Sequence, residues 1–191
     1  MEASTHAGSA RTVSAVRVNP SAGNLATGPL NSEPTQFLTF MLAGETFAIG
    51  ILAIKEILEY HNLTEVPMMP TCVRGVINLR GAVVPVMDPL ARFGRASSPV
   101  TKRTCIVIAE VRSGEESQVM GVVVDAVNEV LEIAASEIEP PPAFGARMRS
   151  EFIQGMGKVK GKFVILLDVD NVLSMDELAA LNVEATSLTA D

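Results

Sequence analysis

The chain has no tryptophan and one tyrosine, and aromatic residues make up 4% of its 191 positions. A stacking platform of the kind that single-strand binders present to bases is therefore poorly supplied. Positive charge is also short: 15 Lys and Arg stand against 22 Asp and Glu, for a net charge of −7, and the basic residues are scattered. A phosphate backbone would be repelled, which argues against nucleic acid as a partner. The two cysteines, Cys72 and Cys105, lie 33 positions apart with neither the paired spacing nor the neighbouring histidine of a zinc site. They read as reduced, small, partly buried side chains. Of the two histidines, His6 lies in a polar extension and His61 in the polar turn E-Y-H-N-L-T-E, where a solvated ring is the simplest reading. No P-loop, nucleophile elbow or H-E-x-x-H is present. The longest apolar runs, A-I-G-I-L-A-I and F-V-I-L-L, fall far below the roughly 20 residues that span a bilayer, and the N-terminus has no apolar segment resembling a secretory signal. The expectation is a soluble cytoplasmic protein without metal or cofactor.

What is present is aliphatic material, with hydrophobic residues at 48%, and an internal echo. The run R-G-V-I-N-L-R-G-A-V-V-P-V-M-D between Arg74 and Asp88 returns as Q-G-M-G-K-V-K-G-K-F-V-I-L-L-D, with Gly75, Gly81, Val84 and Asp88 matching Gly155, Gly161, Val164 and Asp168 at a constant offset of 80. A second pair of segments, from Phe47 and from Met120, matches Ala53 to Ala126 and Glu56 to Glu129 at an offset of 73. The second unit thus carries about seven extra residues, in the loop-like stretch E-P-P-P-A-F-G. Two units of this length are too few for a solenoid and point to two subdomains with a cleft between them.

Residues 1–34 have few large apolar side chains and no period, and read as a disordered extension. From Gln36, Q-F-L-T-F-M-L and F-A-I-G-I form a hairpin around A-G-E-T, and T-C-I-V-I-A-E-V pairs likewise with Q-V-M-G-V-V-V. Ile51 to Leu58 fits either a helical stripe or a strand. Its aligned copy, with Val122, Val123, Val124, Val127 and Val130, favours the strand because β-branched residues suit a pleated surface. The Arg80-Gly81 tip then reverses a further pair of strands. The predicted fold is mainly β: two five-stranded antiparallel barrel-like subdomains, roughly 36–100 and 101–173 and interleaved, around an aliphatic core. Short helices and a C-terminal helix over 174–185 accompany them, with a frayed tail at 186–191. Asp88 and Asp168 each end the last strand of a unit and read as helix caps, with Pro89 at a first helical position; paired-acid catalysis is the less economical reading of them. The C-terminal helix opens on the capping box Ser174-Met-Asp-Glu177.

Two polar residues stand out in the first unit. Arg80 sits at a hairpin tip, and Glu56 interrupts an aliphatic strand where core packing does not ask for it. They read either as a surface ion pair worth about 0–1 kcal/mol or as an anchor for a partner, since Arg is enriched where interfaces concentrate energy.

With these residues the chain resembles the CheW family of chemotaxis coupling proteins. The motifs run in order from Gln36 to about Leu181: F-x-I-x-I-x-x-I-K-E-I, prolines at Pro67 and Pro70, R-G-V-I-N-L-R-G-x-V-V-P-V-x-D, G-V-V-V-D-x-V-x-E-V-L, E-I-x-P-P-P and F-I-x-G-x-G-K-V-x-G-K-F-V-I-L-L-D. The resemblance implies a non-enzymatic adaptor between the cytoplasmic tips of transmembrane chemoreceptors and the regulatory domain of the histidine kinase CheA, recruited to membrane-associated arrays and able to join rings. Carried over by position, Ile54, Glu56, Gly75, Arg80 and Val130 match receptor-coupling positions, with Val130 facing the same cleft. Pro142 and Phe144 match a kinase-facing loop. Three departures stand against the family pattern: Pro89 after the V-x-D strand end, Glu139 where relatives often carry a basic residue, and the N-terminal extension.

Two other classes remain open at this level. A small-ligand-binding β-barrel outside chemotaxis would need polar groups converging in the cleft, whereas the segments expected to line it are rich in Ile, Val and Leu. A nucleic-acid-binding barrel is opposed by charge and by the missing aromatics.

Overall fold

The computed structural model describes residues 33–141 and 148–175. The first unit runs β1 (Thr35–Leu42), β2 (Glu45–Gly50), a 3-10 turn (Ile51–Ala53), β3 (Ile54–Glu59), β4 (Val73–Leu79), β5 (Ala82–Met87) and α1 (Pro89–Arg92). The second runs β6 (Cys105–Ser113), β7 (Glu116–Val124), β8 (Ala126–Ile133), the two-residue β9 (Ile138–Glu139), β10 (Ile153–Val159), β11 (Lys162–Leu167) and α2 (Val169–Val172). Both expected opening hairpins are present. The ambiguous stretch at Ile51 divides: its first three residues form the 3-10 turn and the strand starts at Ile54. In the aligned copy the valine run is likewise broken at Asp125, between β7 and β8. The C-terminal helix lies outside the described residues beyond Met175.

The strands build two curled sheets, in the orders β8-β1-β2-β11-β10-β9 and β3-β6-β7-β5-β4. Each sheet takes the opening hairpin of one unit and the remaining strands of the other. The hairpins are antiparallel as expected, but the seams joining them are not: β11 runs parallel to β2, and β5 parallel to β7. Parallel neighbours need a long crossover, and the exchange between units supplies it. The sixth strand has a counterpart too. In the five-stranded sheet Thr64 forms an isolated bridge to Val76 through two backbone hydrogen bonds of 3.0 and 2.8 Å, and β9 meets Met156 at the corresponding place in the other sheet.

Type I′ geometry closes the tight hairpins. Ala43-Gly44, Arg80-Gly81 and Lys160-Gly161 all carry positive φ at both central positions, the twist that suits a two-residue antiparallel loop. Each sheet wraps a core of its own. Ile77, Val84, Val86, Ile106, Ile108 and Val123 fill one, and Phe37, Ala48, Ile133, Val164 and Leu166 fill the other. The third and largest cluster lies between the sheets and draws on both. It is not purely aliphatic, as composition suggested. Phe40, Phe47, Phe93 and Phe152 form a row with successive ring centroids 6.4, 6.1 and 5.9 Å apart. Four of the seven phenylalanines thus meet where the two sheets are joined, where their large rings add to the buried apolar area.

Candidate docking site

Glu56 is set into β3 next to a bulge, because the pairing with β6 slips between Ile54 and Glu56. Its carboxylate accepts two hydrogen bonds from the Arg80 guanidinium, Nη1 to Oε1 at 2.9 Å and Nη2 to Oε2 at 3.0 Å. The two residues singled out from sequence therefore form one bidentate, charge-assisted pair. Arg80 stands in the left-handed region at φ +50°, with Asn78 Oδ1 accepting from Gly81 N at 2.8 Å to brace the turn. The Arg80 side chain is 77% exposed and that of Glu56 23%. The pair fixes the guanidinium while leaving its outer edge open to solvent.

Cross-strand partners show which way the neighbouring apolar residues face. Ile57 pairs with Val107 and Ile54 with Ala109; Val130 pairs with Leu38. Val107, Ala109 and Leu38 all belong to the core between the sheets. Directly opposed residues share a face, so Ile54, Ile57 and Val130 lie on the faces turned toward that shared core. Ile57 and Val130 are nevertheless 43% and 46% exposed, which places them at its rim. They are also counterparts under the offset of 73 that relates Glu56 to Glu129. The strands carrying them, β3 and β8, are each the edge strand of a sheet. Ile57 was not singled out from sequence, although its position one residue after Glu56 and opposite Val130 in the duplication was signal enough. Leu52 and Val83, 92% and 72% exposed, were missed as well.

Gly75 contributes differently. It is buried and offers no side chain; an added Cβ would come within 2.5 Å of the Thr64 carbonyl oxygen, and its φ is +149°. Its residue type answers to the close passage of Thr64 across β4. Gly155 repeats the arrangement, its Cβ position 2.6 Å from Ile138 Cγ2. Pro142 and Phe144 lie outside the described residues. Glu139 is exposed on β9.

Both aspartate caps are present. Asp88 accepts from Leu90 N at 2.9 Å and Ala91 N at 3.4 Å, with Pro89 following as expected, and Asp168 accepts from Asn171 N at 3.1 Å. Asp88 has a second partner that sequence reasoning missed: Arg74 Nε, 3.5 Å from its Oδ2. His61 lies exposed, its Nδ1 3.1 Å from the carbonyl oxygen of Glu59. Burial pushes the Cys72 thiol up, only partly offset by the nearby Arg92 charge. Among the described residues no group of three or more His, Cys, Asp or Glu is placed to hold a metal, and no helix is long and apolar enough to cross a membrane.

A CheW-like domain model matches residues 36–177. The chain belongs to the CheW family. Relatives include the chemotaxis protein CheW of Klebsiella aerogenes, 33% identical over 80% of this chain and 89% of that protein, and that of Rhizobium meliloti, 33% identical over 76% and 91%. Among solved structures, the scaffolding protein TtCheW from Thermoanaerobacter tengcongensis superposes with a TM-score of 0.66 at 31% identity, covering 77% of this chain and 90% of that one. The two curled sheets and their shared core are thus a CheW fold.

Proposed function

We propose that this protein is a non-enzymatic chemotaxis adaptor that couples chemoreceptor tips to the histidine kinase CheA within membrane-associated arrays. The receptor site is the rim between β3 and β8. The observation that carries this reading is that two edge strands, one from each sheet, turn Ile57 and Val130 toward a common core yet leave them nearly half exposed. An amphipathic helix from a receptor hairpin can lay its apolar face across such a rim. One residue away from Ile57 on β3, and on the strand's other face because Glu56 opposes Ile108 of the sheet's own core, the Arg80–Glu56 pair presents an oriented guanidinium that can answer polar groups at the edge of the rim. The kinase site is the segment that includes Pro142 and Phe144, by resemblance to the family. Two separate faces let one molecule bridge two partners, and pseudo-symmetric association of related modules can propagate into rings. A ligand-binding barrel with its site in the cleft draws no support, because the pocket at the core between the sheets is lined by apolar side chains, among them Phe40, Ile49, Val122, Leu167 and Leu173, with no polar groups among the described residues converging on it.

The test is capture of receptor and kinase from detergent-solubilised native cells by the parent, Arg80→Ala and Phe144→Ala proteins. Arg80→Ala is expected to lose mainly receptor and Phe144→Ala mainly kinase. Identical losses from both would refute two separate faces.

A further inference from the structure

Among the described residues the strands bury one polar side chain. Thr39, in the middle of β1, is 1% exposed. The β1–β8 pairing is regular at Leu38 with Val130 and again at Phe40 with Val127, so Asn128 and Glu129 together oppose Thr39 alone. That is a bulge in an edge strand, and it lies immediately before Val130. A bulge leaves ladder groups without their usual partners and re-aims the next side chain. Here the Thr39 hydroxyl supplies the partners: Oγ1 donates to the Glu129 carbonyl oxygen at 2.7 Å and accepts from the Glu129 N–H at 3.2 Å. In the first unit the corresponding bulge stands in β3, and the residue facing Glu56 across the ladder is Ile108, which has no polar side-chain atom. There the ladder pairs Glu56 with Ile108 directly, and the Arg80 pair holds the Glu56 side chain besides. Among the described residues Glu129 has no ion pair of that kind, and its backbone is held from beneath by Thr39.

We infer that Thr39 is a positioning residue for the docking rim: its buried hydroxyl replaces the missing ladder bonds at Glu129, fixes the bulge, and so sets the height and direction at which Val130 meets a partner helix. This rests on the reading of the β3–β8 rim as the receptor site. The hydroxyl touches no partner itself. It acts through the backbone of one residue, and that separates its signature from a surface contact.

The experiment uses the full chain with three substitutions and two readouts. Amide exchange at Glu129 reports the local hydrogen bonds, and capture of a soluble cytoplasmic chemoreceptor fragment containing the hairpin tip reports docking. Thr39→Val keeps shape and removes the hydroxyl; loss of one such bond corresponds to about a tenfold fall in Glu129 protection and a weakening of capture of about three- to tenfold. Thr39→Ser keeps the hydroxyl and is expected to retain both, which also separates the effect from general loss of packing. Val130→Asp is expected to abolish capture with Glu129 protection intact. If Thr39→Val frees the Glu129 amide but captures as well as the parent while Val130→Asp fails, the positioning role is wrong and the docking site stands. If Val130→Asp captures normally, the docking reading of β8 is wrong and Thr39 holds only the fold.

Discussion

At the scale of single residues, the same amino-acid type does different work in the two halves of a repeated motif. Gly75 and Gly81 both belong to R-G-V-I-N-L-R-G, but an added Cβ at Gly81 meets nothing within 4 Å, whereas at Gly75 it meets a backbone carbonyl. Gly75→Ala is therefore expected to cost about 1–3 kcal/mol, and Gly81→Ala only the smaller cost of a left-handed turn residue, about 1 kcal/mol. Urea unfolding of the two variants checks the order. The cysteines divide in a similar way. Cys72 is buried and Cys105 only partly so, and burial holds the Cys72 thiol above its ordinary range. A thiol reagent near pH 8 should label Cys105 in the folded protein and Cys72 only on unfolding. Because the Cys72 thiol is raised, its contribution to stability is complete below the unfolded thiol's pKa and is lost as pH climbs through the folded one. Denaturation midpoints should accordingly decline in alkali, less so in Cys72→Ser.

At the scale of elements, the two strand-to-helix junctions are alike in sequence and unlike in environment. Asp88 caps α1 and faces Arg74, whose Nε is buried without a hydrogen-bond partner. Asp168 caps α2, and the position equivalent to Arg74 there is the neutral Gln154. Asp168→Ala should remove a cap alone, about 1 kcal/mol. Asp88→Ala should remove a cap and strand a partly buried guanidinium, raising the loss to about 2–4 kcal/mol once solvent screening of Arg74 is allowed for. Equal losses in thermal or urea melts would show that Arg74 is adequately solvated. The Arg80–Glu56 pair behaves oppositely: exposed and bidentate, it should give up less than about 1 kcal/mol on Arg80→Ala, so that a near-parental melt accompanies any loss of receptor capture.

At the scale of the whole molecule, neither sheet can be assembled from one half of the chain, because each unit lends its opening hairpin to the other. Residues 33–100 alone would hold β1 and β2 without the neighbours β8 and β11, and β3, β4 and β5 without β6 and β7. That fragment should show no dispersed amide spectrum by itself, and should gain one when residues 101–175 are added. A well-folded isolated half would mean that the seams between units contribute little. The interleaving also explains how a rim can form. The exchanged third strands, β3 and β8, end up as outer edges facing a common core, a position open to a helix from outside.

The linear sequence determined the repeat, the strands, the hairpin tips and the aspartate caps. These depend on residues close along the chain: glycine for positive φ, β-branched runs for pleated surface, a carboxylate before the first free amides of a helix. It also singled out Arg80 and Glu56, since a charge within an aliphatic strand is visible without coordinates. What it could not decide was partnership across the fold. The parallel seams, the phenylalanine row between the sheets, Arg74 opposite Asp88 and Thr39 beneath Glu129 all join residues far apart in sequence. Hydrophobicity says that a side chain will be buried but not against what, because burial is non-directional. Only the exchange of hairpins between the two related units settled which neighbour each strand would have.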